Sequence, residues 1–502
     1  MSTAARVSTV TKDTENENTM ATVAGKLNTY LEAFGELTAE RQERDPLWLR
    51  QLREDAWQRF HAKGFPTPHD EDWRFTNLAA LAKTPFQRAV KGSPTVTAAQ
   101  IAKFRVPGAG CRLVFVNGHF APDLSEVCDL PNTLEICSLE RAIAKAMEGS
   151  APNGSEPVGC APDGVEQHLG RYADVRRDVF SALNTALWED GAYLRVHRGA
   201  EISQPIHLLY VSAGAGAEIM TNPRTLIVAE PTSHVAVIED YVSIGGEAAF
   251  SNSVTELVAG QEAVVSHFLV ERENLAAFNI STLRLELARG SNVSSHSILL
   301  GGGLVRNNVH PVLAGQGAEC LINGLFVGAG SQHLDNYMLV EHAQPQCSSR
   351  QFYNGILDDR ARGVFHGRIV VHKDAQKTDA KQTNRNLLLS DNARLDTKPQ
   401  LEIYADDVKC THGATIGQIE EEQLFYLRSR GIEETSARNL LLYAFAAECL
   451  DRMADSPARE FVASLIGERL TALARDHQAA VGTAPEDLAK PEEETQNWEG
   501  LG

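Results

Sequence analysis

Cysteine is scarce in this sequence, and the cysteines that occur lie far apart. The chain has 502 residues and 8 cysteines, and no two of them form a Cys-x-x-Cys pair. Structural zinc sites and iron–sulfur sites held by one chain use closely spaced cysteines, and disulfide scaffolds need a much higher cysteine density. The pattern therefore excludes a zinc finger, a cluster bound by this chain alone and a disulfide scaffold.

Long apolar runs are also missing. No segment reaches the roughly 18 consecutive apolar residues that indicate a membrane-spanning helix. Residues 1–20 lack the apolar stretch of a secretory signal, and they carry acidic residues that are atypical of a transit peptide. We therefore predict a cytoplasmic protein without membrane contact, and we expect residues 1–20 to be disordered.

Positive charge is in deficit. The chain has 47 lysines and arginines against 66 aspartates and glutamates, which gives a formal net charge of −19. Such a chain repels the phosphates of nucleic acids unless a local basic patch intervenes. We expect no nucleic-acid partner, and we attribute the acidity to solubility.

The common catalytic motifs are absent as well. The sequence has no GxxxxGK[ST] phosphate loop, no GxSxG elbow and no HExxH pair. Two carboxylate pairs, Asp358/Asp359 and Asp406/Asp407, consist of adjacent residues, whose side chains point to opposite faces of a strand. Glycosidases need two carboxylates across one cleft. We interpret both pairs as turn residues or caps, and a carbohydrate-active β-helix enzyme stays as an alternative.

The hydrophobic pattern divides the chain into regions. Helical spacing dominates the first part, where Asp45 is the predicted N-cap of a helix that starts at Pro46 and stops before Gly64. A second helix is predicted from Ala173 to Trp188. The predicted regions are a disordered segment 1–20, a mainly helical region 21–191 with a flexible loop at 148–164, a core at 192–417, a helical domain at 418–478 and a disordered acidic tail at 479–502.

The core region at 192–417 is typical of a parallel β-solenoid. Short runs of valine, isoleucine and leucine alternate with polar residues and end at Gly, Asn or Asp. A weak repeat is visible in Val228-Ala229, Val258-Ala259, Leu287-Ala288 and Leu313-Ala314, with spacings of 30, 29 and 26 residues. Coils of this length bury their apolar residues only by stacking on their neighbours. On pattern alone, a β-sandwich is the competing architecture.

The densest group of chemically active residues is ADDVKCTHGATIG, at residues 405–417. Cys410 and His412 are two positions apart, so on a strand their side chains face the same side. A thiolate and an imidazole on one face can bind iron or another soft metal. Two ligands are too few for a closed site, so further ligands must come from elsewhere in the fold, another chain or a small molecule. The alternative is a buried cysteine beside a hydrogen-bonded histidine.

Polar side chains are also dense at 374–403. We interpret many of them as ladders of hydrogen-bonding side chains at the turns of the solenoid: Gln376, Lys377, Thr378, Asp379, Gln382, Asn384, Arg385, Asn386 and Lys398.

Residues 349–432 resemble the signature region of the SufB/SufD family of the SUF iron–sulfur assembly system. The similarity runs almost uninterrupted from SRQFYNGIL to LRSRGI, and the segments DEDWRFTNL (70–78) and FSALNTALWEDGAYL (180–194) also resemble this family. Gly413 follows His412, as in the SufD branch, whereas SufB-type chains have a glutamate there. The resemblance therefore points to the SufD branch, with a SufB-type paralogue as the alternative.

The resemblance implies a right-handed parallel β-helix between N- and C-terminal helical regions, and the role of a non-catalytic scaffold. Implied partners are SufB, through the β-helix, and the SufC ATPase, through C-terminal helices that include Leu424, Phe425, Tyr426, Arg428 and Arg430. A homodimer is a further possibility in isolation. The resemblance also implies a transient, nascent iron–sulfur cluster shared with SufB, with His412 as a ligand and Cys410 as a weaker candidate, and no cofactor bound tightly by this chain alone.

Overall fold

A computed structural model describes residues 28–89, 91–92, 95–127, 131–148, 164–214 and 216–482 of the chain. The predictions for residues 1–20, for nearly all of the loop 148–164 and for residues 483–502 fall outside these ranges. No helix in the described part is long and apolar enough to cross a membrane.

Helices are concentrated at the two ends of the described chain. In chain order they are α1 (residues 28–41), α2 (Leu47–Lys63), α3 (Ala79–Lys83), α4 (Ala98–Ile101), α5 (Leu139–Glu148), α6 (Val165–His168), α7 (Val179–Leu187), α8 (Glu421–Ser429), α9 (Glu434–Leu450) and α10 (Pro457–Gly482). Short 3₁₀ turns lie at Glu71–Trp73, Ala102–Phe104 and Pro122–Leu124.

Strands fill the middle of the chain. They are β1 (Gln87–Arg88), β2 (Cys111–Val116), β3 (His119–Phe120), β4 (Leu134–Ser138), β5 (Gly191–Val196), β6 (Ile206–Ala213), β7 (Ile219–Thr221), β8 (Arg224–Ala229), β9 (His234–Ile244), β10 (Ala249–Ala259), β11 (Val264–Arg272), β12 (Phe278–Leu287), β13 (Asn292–Leu299), β14 (Leu304–Leu313), β15 (Glu319–Gly328), β16 (His333–His342), β17 (Ser348–Leu357), β18 (Arg362–Val371), β19 (Asp379–Leu388), β20 (Arg394–Ile403) and β21 (Lys409–Gly417).

The strands form a two-sided parallel solenoid. Sheet A has the order β4-β5-β8-β10-β12-β14-β16-β18-β20, and sheet B has the order β3-β2-β6-β9-β11-β13-β15-β17-β19-β21. From β8 onward successive strands alternate between the sheets, and neighbours within each sheet are parallel. This confirms the predicted mainly β fold with a parallel solenoid between helical regions. It excludes the β-sandwich, whose sheets are antiparallel.

The coils of the solenoid differ in length, and this difference explains why the repeat in the sequence is weak. The register pairs Ala229 with Ala259, Ala259 with Leu287, and Leu287 with Leu313. The valine–alanine pairs of the first two coils are therefore in register, whereas the leucine–alanine pairs of the next two are shifted by one residue. Because the side-chain period of a strand is two, such a shift moves alanine off the inward face and places leucine there.

Alternate residues of each strand face the space between the two sheets and form the main core. Its members include Ile322, Phe326, Leu334 and Phe365, all completely buried. Three aromatic rings from neighbouring strands, Phe115, Tyr210 and Tyr241, stack inside it. Burial of inward side chains by the coils above and below is what holds this architecture together.

The terminal helices cover the outer faces of the two sheets. α1, α2 and α7 pack on sheet A around Phe180 and Phe250. α9 and α10 pack on sheet B, where Ile298 and Ile356 point outward. Since each helix buries its apolar side on a sheet, the helical regions are integral parts of the solenoid's packing.

Two helix starts differ from the prediction. Asp45 does not cap α2; its carboxylate instead accepts a hydrogen bond of 2.7 Å from the buried Arg53. The helix expected from Ala173 starts at Val179, because Asp178 accepts hydrogen bonds from the backbone amides of Phe180 and Ser181 and so caps it there. At the other end of α2 the prediction agrees, since Gly64 adopts the positive φ of 65° typical of a helix stop.

The two ends of the solenoid are different. At the N-terminal end, antiparallel pairing of β2 with β3 and of β4 with β5 finishes the sheets. At the C-terminal end, β20 and β21 are the outermost strands, each paired with one neighbour in its sheet. Most residues of β21 are exposed. We call this end, formed by β20 and β21, the open end.

Candidate functional site

Cys410 and His412 both lie on β21, at the open end. The register places Cys410 beside Ala380 and His412 beside Gln382 of β19. Ala380 and Gln382 are buried and face the interior. Cys410 and His412 are therefore on the same, inward side of the last strand, as the spacing of two residues requires.

The two side chains differ in access to solvent. His412 is exposed, whereas Cys410 is half-buried and packs against the main core. Burial raises the pKa of the Cys410 thiol, which keeps it protonated unless a metal or a cationic partner arrives. His412 is thus the more accessible donor, and Cys410 is the less reactive one.

These two residues do not make a closed metal site. Among the residues that the structure describes, no group of three or more histidine, cysteine, aspartate or glutamate side chains is arranged to hold a metal ion. Stable binding of a soft metal needs three or four ligands. Any iron held by His412, with or without Cys410, would have to take further ligands from outside the described part of this chain.

The other free thiols in the described part are poor candidates. Cys111, Cys320, Cys347 and Cys449 are buried. Burial raises the pKa of Cys320 and of Cys449 to about 12. Cys137 is disulfide-bonded. A thiol that is buried in apolar surroundings is inert, so Cys410 remains the free cysteine with partial access.

Some of the polar residues at 374–403 are placed differently from the prediction. Gln376 and Lys377 lie in the turn between β18 and β19, as expected for a ladder at the turns. Gln382, Asn384 and Asn386 instead point inward from β19 and are buried. Their spacing of two residues was the available signal, because it marks one face of a strand.

The residues predicted to contact a partner lie on α8, except Arg430, which directly follows its last residue. Phe425 and Tyr426 are 72% and 57% exposed, and the guanidinium of Arg430 lies 5.2 Å from the centre of the Tyr426 ring. Arg428 forms a salt bridge of 3.2 Å with Glu434 at the start of α9. Leu424 is buried, so it anchors α8 and does not contribute to the exposed surface.

Exposed apolar side chains continue on the next helix. Leu440 and Tyr443 of α9 are also solvent-accessible. We call Phe425, Tyr426, Leu440 and Tyr443 the α8–α9 surface. Large apolar side chains exposed together on neighbouring elements are typical of protein-binding surfaces.

A second feature is a groove of about 530 Å³ on the outer face of sheet A, beside Trp73. Its charges are paired with one another. Arg368 and Glu402 are 2.6 Å apart, and Glu341 contacts His310 at 2.8 Å and Arg177 at 3.1 Å. The positive and negative groups inside the groove balance one another. The net charge of the groove therefore favours neither anionic nor cationic ligands.

The Glu341 cluster makes stability depend on pH. The hydrogen bond from His310, helped by His372 and Arg177, holds the pKa of Glu341 at about 2, below its ordinary value of 4.5. The ionised carboxylate therefore stabilises the fold above pH 4.5, and this stabilisation is lost as the pH falls towards 2.

We expect Glu341→Gln to lower the free energy of unfolding at neutral pH by about 1 kcal/mol, a modest value because solvent in the groove screens the charges. The difference from the unsubstituted chain should become much smaller near pH 2, where the folded-state carboxylate is half protonated. Urea titration at both pH values measures it, and Glu43→Gln, at an exposed position on the loop after α1, is the control. An equal effect at both pH values would contradict the assignment.

Comparison with known proteins covers nearly the whole described chain. Residues 210–445 match the family model described as "SUF system FeS cluster assembly, SufBD core domain", and residues 25–208 match "SufBD protein N-terminal region". A SufBD family iron–sulfur cluster assembly protein of Synechocystis sp. is 36% identical over 397 residues, which are 77% of this chain and 84% of that protein.

Two relatives carry the name SufD. The iron–sulfur cluster assembly protein SufD of Escherichia coli is 34% identical over 414 residues, covering 82% of this chain and 91% of that protein. SufD of Bacillus subtilis is 26% identical over 450 residues, covering 88% of this chain and 97% of that protein.

Proposed function

This chain belongs to the SufBD family of SUF-system iron–sulfur cluster assembly proteins and is of the SufD type, and we propose that it is a non-catalytic scaffold subunit that pairs with SufB and docks the SufC ATPase. In this role the nascent cluster is the cargo of the complex and is held only transiently. ATP binding and hydrolysis belong to SufC, which fits the absence of a phosphate loop from this sequence.

The observation that carries the proposal is the open end. β20 and β21 leave one backbone edge each without a strand partner among the described residues. Ile403, Tyr404 and Ile416 expose large apolar side chains there. An unpaired edge with apolar side chains is a template for pairing with another chain, and β21 is the less protected of the two edges because β20 carries four charged residues and Pro399. A second β-solenoid, that of SufB, is the partner that would continue both sheets.

The position of His412 fits a cluster built between two chains. Its imidazole is exposed at the edge that the partner would cover, and Cys410 lies on the same side of β21. In the proposed complex SufB supplies a cysteine, this chain supplies His412, and Cys410 is a further candidate ligand. Shared ligation also explains why the described part of this chain has no closed metal site.

The α8–α9 surface is the proposed docking site for SufC. Exposed aromatic side chains with arginines beside them are the composition expected at the centre of a protein interface. α9 is anchored on sheet B through contacts such as the salt bridge between Arg385 and Glu448. A movement of SufC on this surface that depends on its bound nucleotide would therefore also move the solenoid. It would shift the populations of the arrangements in which this chain pairs with SufB.

Pairing through the open end can be tested by one substitution. We expect Ile416→Asp to reduce the amount of SufB that copurifies with this chain about tenfold, because a carboxylate would lose its hydration inside the new interface. Ile416 is 50% exposed, so the substitution does not disturb the isolated chain. The measurement is pull-down from cells that express both proteins, with circular dichroism as a check on folding.

The matched control is Val264→Asp. Val264 is also an exposed β-branched residue of sheet B, but it lies on β11, five strands away from the open end. This variant should retain SufB. Equal retention of SufB by both variants would argue against pairing through β20 and β21. Pairing of two copies of this chain through the same end would show as a dimer in the absence of SufB that Ile416→Asp dissociates.

A further inference from the structure

A column of inward-facing side chains runs across sheet B and ends at His412. The register places Ile322 beside Gln351, Gln351 beside Gln382, and Gln382 beside His412. Adjacent strands of a sheet are about 4.8 Å apart, so side chains at paired positions on the same face are direct neighbours. Gln382 is therefore the inward residue next to the imidazole of His412.

The side-chain amide of Gln382 is buried without a hydrogen-bond partner. The residue is 1% exposed, and neither Nε2 nor Oε1 forms a hydrogen bond. A buried polar group left in this state costs about 1–3 kcal/mol, and nearly all such groups in folded proteins are paired. The polar groups that the register places next to it are the amide of Gln351, on the interior side, and the imidazole of His412, on the open side.

The fold makes room for this amide. Gly367 lies on β18 of sheet A, and a Cβ atom built on it would be 1.7 Å from Nε2 of Gln382. Any side chain at position 367 would therefore displace the Gln382 amide. Because Gly367 has no side chain, it leaves space at the centre of the solenoid, and the Gln382 amide occupies that space. No hydrogen bond fixes the orientation of the amide. Because neither Nε2 nor Oε1 has a partner, the amide has an unused donor and an unused acceptor for a polar group at the open end.

We propose that Gln382 is a positioning residue for His412, an inference that rests on the proposed role of His412 as a ligand. The side-chain oxygen Oε1 of Gln382 accepts a hydrogen bond from the ring N–H of His412 that faces the interior, and the other, unprotonated ring nitrogen is thereby directed to the open end. A ligating histidine normally has its second nitrogen held in this way, which fixes both the tautomer and the orientation of the ring.

The test compares Gln382→Leu with Gln351→Leu in the full-length chain. Both replacements remove a buried, unpartnered amide and keep a similar volume, but Gln351 is one strand farther from His412. The first measurement is the tautomer ratio of His412, by ¹⁵N NMR of histidine-labelled protein at a pH where imidazole is neutral. The His412 signals are identified by their loss in His412→Ala.

We expect Gln382→Leu to change the tautomer ratio about fivefold, the equilibrium effect of one ordinary hydrogen bond, and Gln351→Leu to leave it unchanged. Cluster formation by the complex with SufB and SufC should fall by a similar factor in Gln382→Leu alone. If Gln382→Leu does not fold by circular dichroism, Gln382→Asn replaces it, because its amide is one methylene too short to reach the ring.

An unchanged tautomer ratio in a folded Gln382 variant would overturn the inference, whatever the outcome for cluster formation. Failure of the proposed function looks different. In that case His412→Ala would leave cluster formation unchanged, while the NMR experiment would still decide whether Gln382 and His412 are bonded. A loss of the same size in Gln351→Leu would also overturn the inference, because it would show a general effect of core packing.

Discussion

Replacing His412 by alanine is expected to lower iron–sulfur cluster formation by the complex with SufB and SufC about tenfold or more. The expected loss follows from the proposed shared site, where this chain contributes one exposed imidazole and where the described residues offer no group of three or more ligands to replace it. Changes in the surroundings of metal ligands already cost about 10–100-fold in affinity or activity, so loss of a ligand should cost at least as much. The measurement is anaerobic reconstitution followed by iron and sulfide analysis.

The matched control for this prediction is His372→Ala. His372 is a partly exposed histidine on the turn after β18, and its ring contacts Glu341 in the groove of sheet A. We expect this variant to assemble clusters at the normal rate. Cys410→Ala should cause a smaller loss than His412→Ala, since its thiol is half-buried and protonated. Normal assembly by His412→Ala would eliminate the ligand role and leave the open end as a pairing surface only.

Replacing Phe425 and Tyr426 together by aspartate is expected to reduce copurification of SufC more than tenfold. Both rings are mostly exposed on α8, and central aromatic residues of an interface contribute about 2 kcal/mol or more each to binding. The measurement is the amount of SufC retained by the tagged chain at several salt concentrations. This double variant is a sharper test than removing everything after Gly417, because deletion of α9 and α10 would uncover the apolar outer face of sheet B.

The control for α8 is Leu275→Asp. Leu275 is 69% exposed on the loop between β11 and β12, so it matches the exposure of the aromatic residues but lies outside the α8–α9 surface. SufC retention should be unchanged in this variant. If the double variant of α8 binds SufC as well as Leu275→Asp does, the docking surface must be sought elsewhere on the chain.

Sequence alone predicted the architecture but not its detailed register. Short alternating strands broken by Gly, Asn and Asp are enough to indicate coils that stack, and the resemblance pointed to the same fold. The one-residue shift between the Val258-Ala259 and Leu287-Ala288 pairs could not be predicted, because coils of different lengths are aligned by backbone pairing between strands. The valine–alanine and leucine–alanine motif can be recognised in each segment separately. The register, in contrast, depends on how two strands pair in the folded chain.

The geometry of the candidate site could be predicted only in part, for a similar reason. The spacing of Cys410 and His412 is local, so their common side of β21 follows from strand geometry alone. The unpaired edge beside them cannot be predicted from the local sequence, because the segment KCTHGATIG has no feature that marks β21 as the last strand of the stack. Gln382 belongs to the polar segment that we interpreted largely as ladders at turns, because such side chains can satisfy turn backbone groups. Its inward direction depends on Gly367, which lies on the opposite sheet and makes the space for it.

The open end also has a thermodynamic consequence. A solenoid behaves as a one-dimensional stack in which each coil is stabilised by the interfaces with the coils before and after it. The coil that contains β20 and β21 has one such interface, so it is the coil that opens at the lowest free energy. A partner that stacks on this coil supplies the missing interface. Ordering of the coil that carries His412 and formation of the complex are therefore linked equilibria, and each strengthens the other.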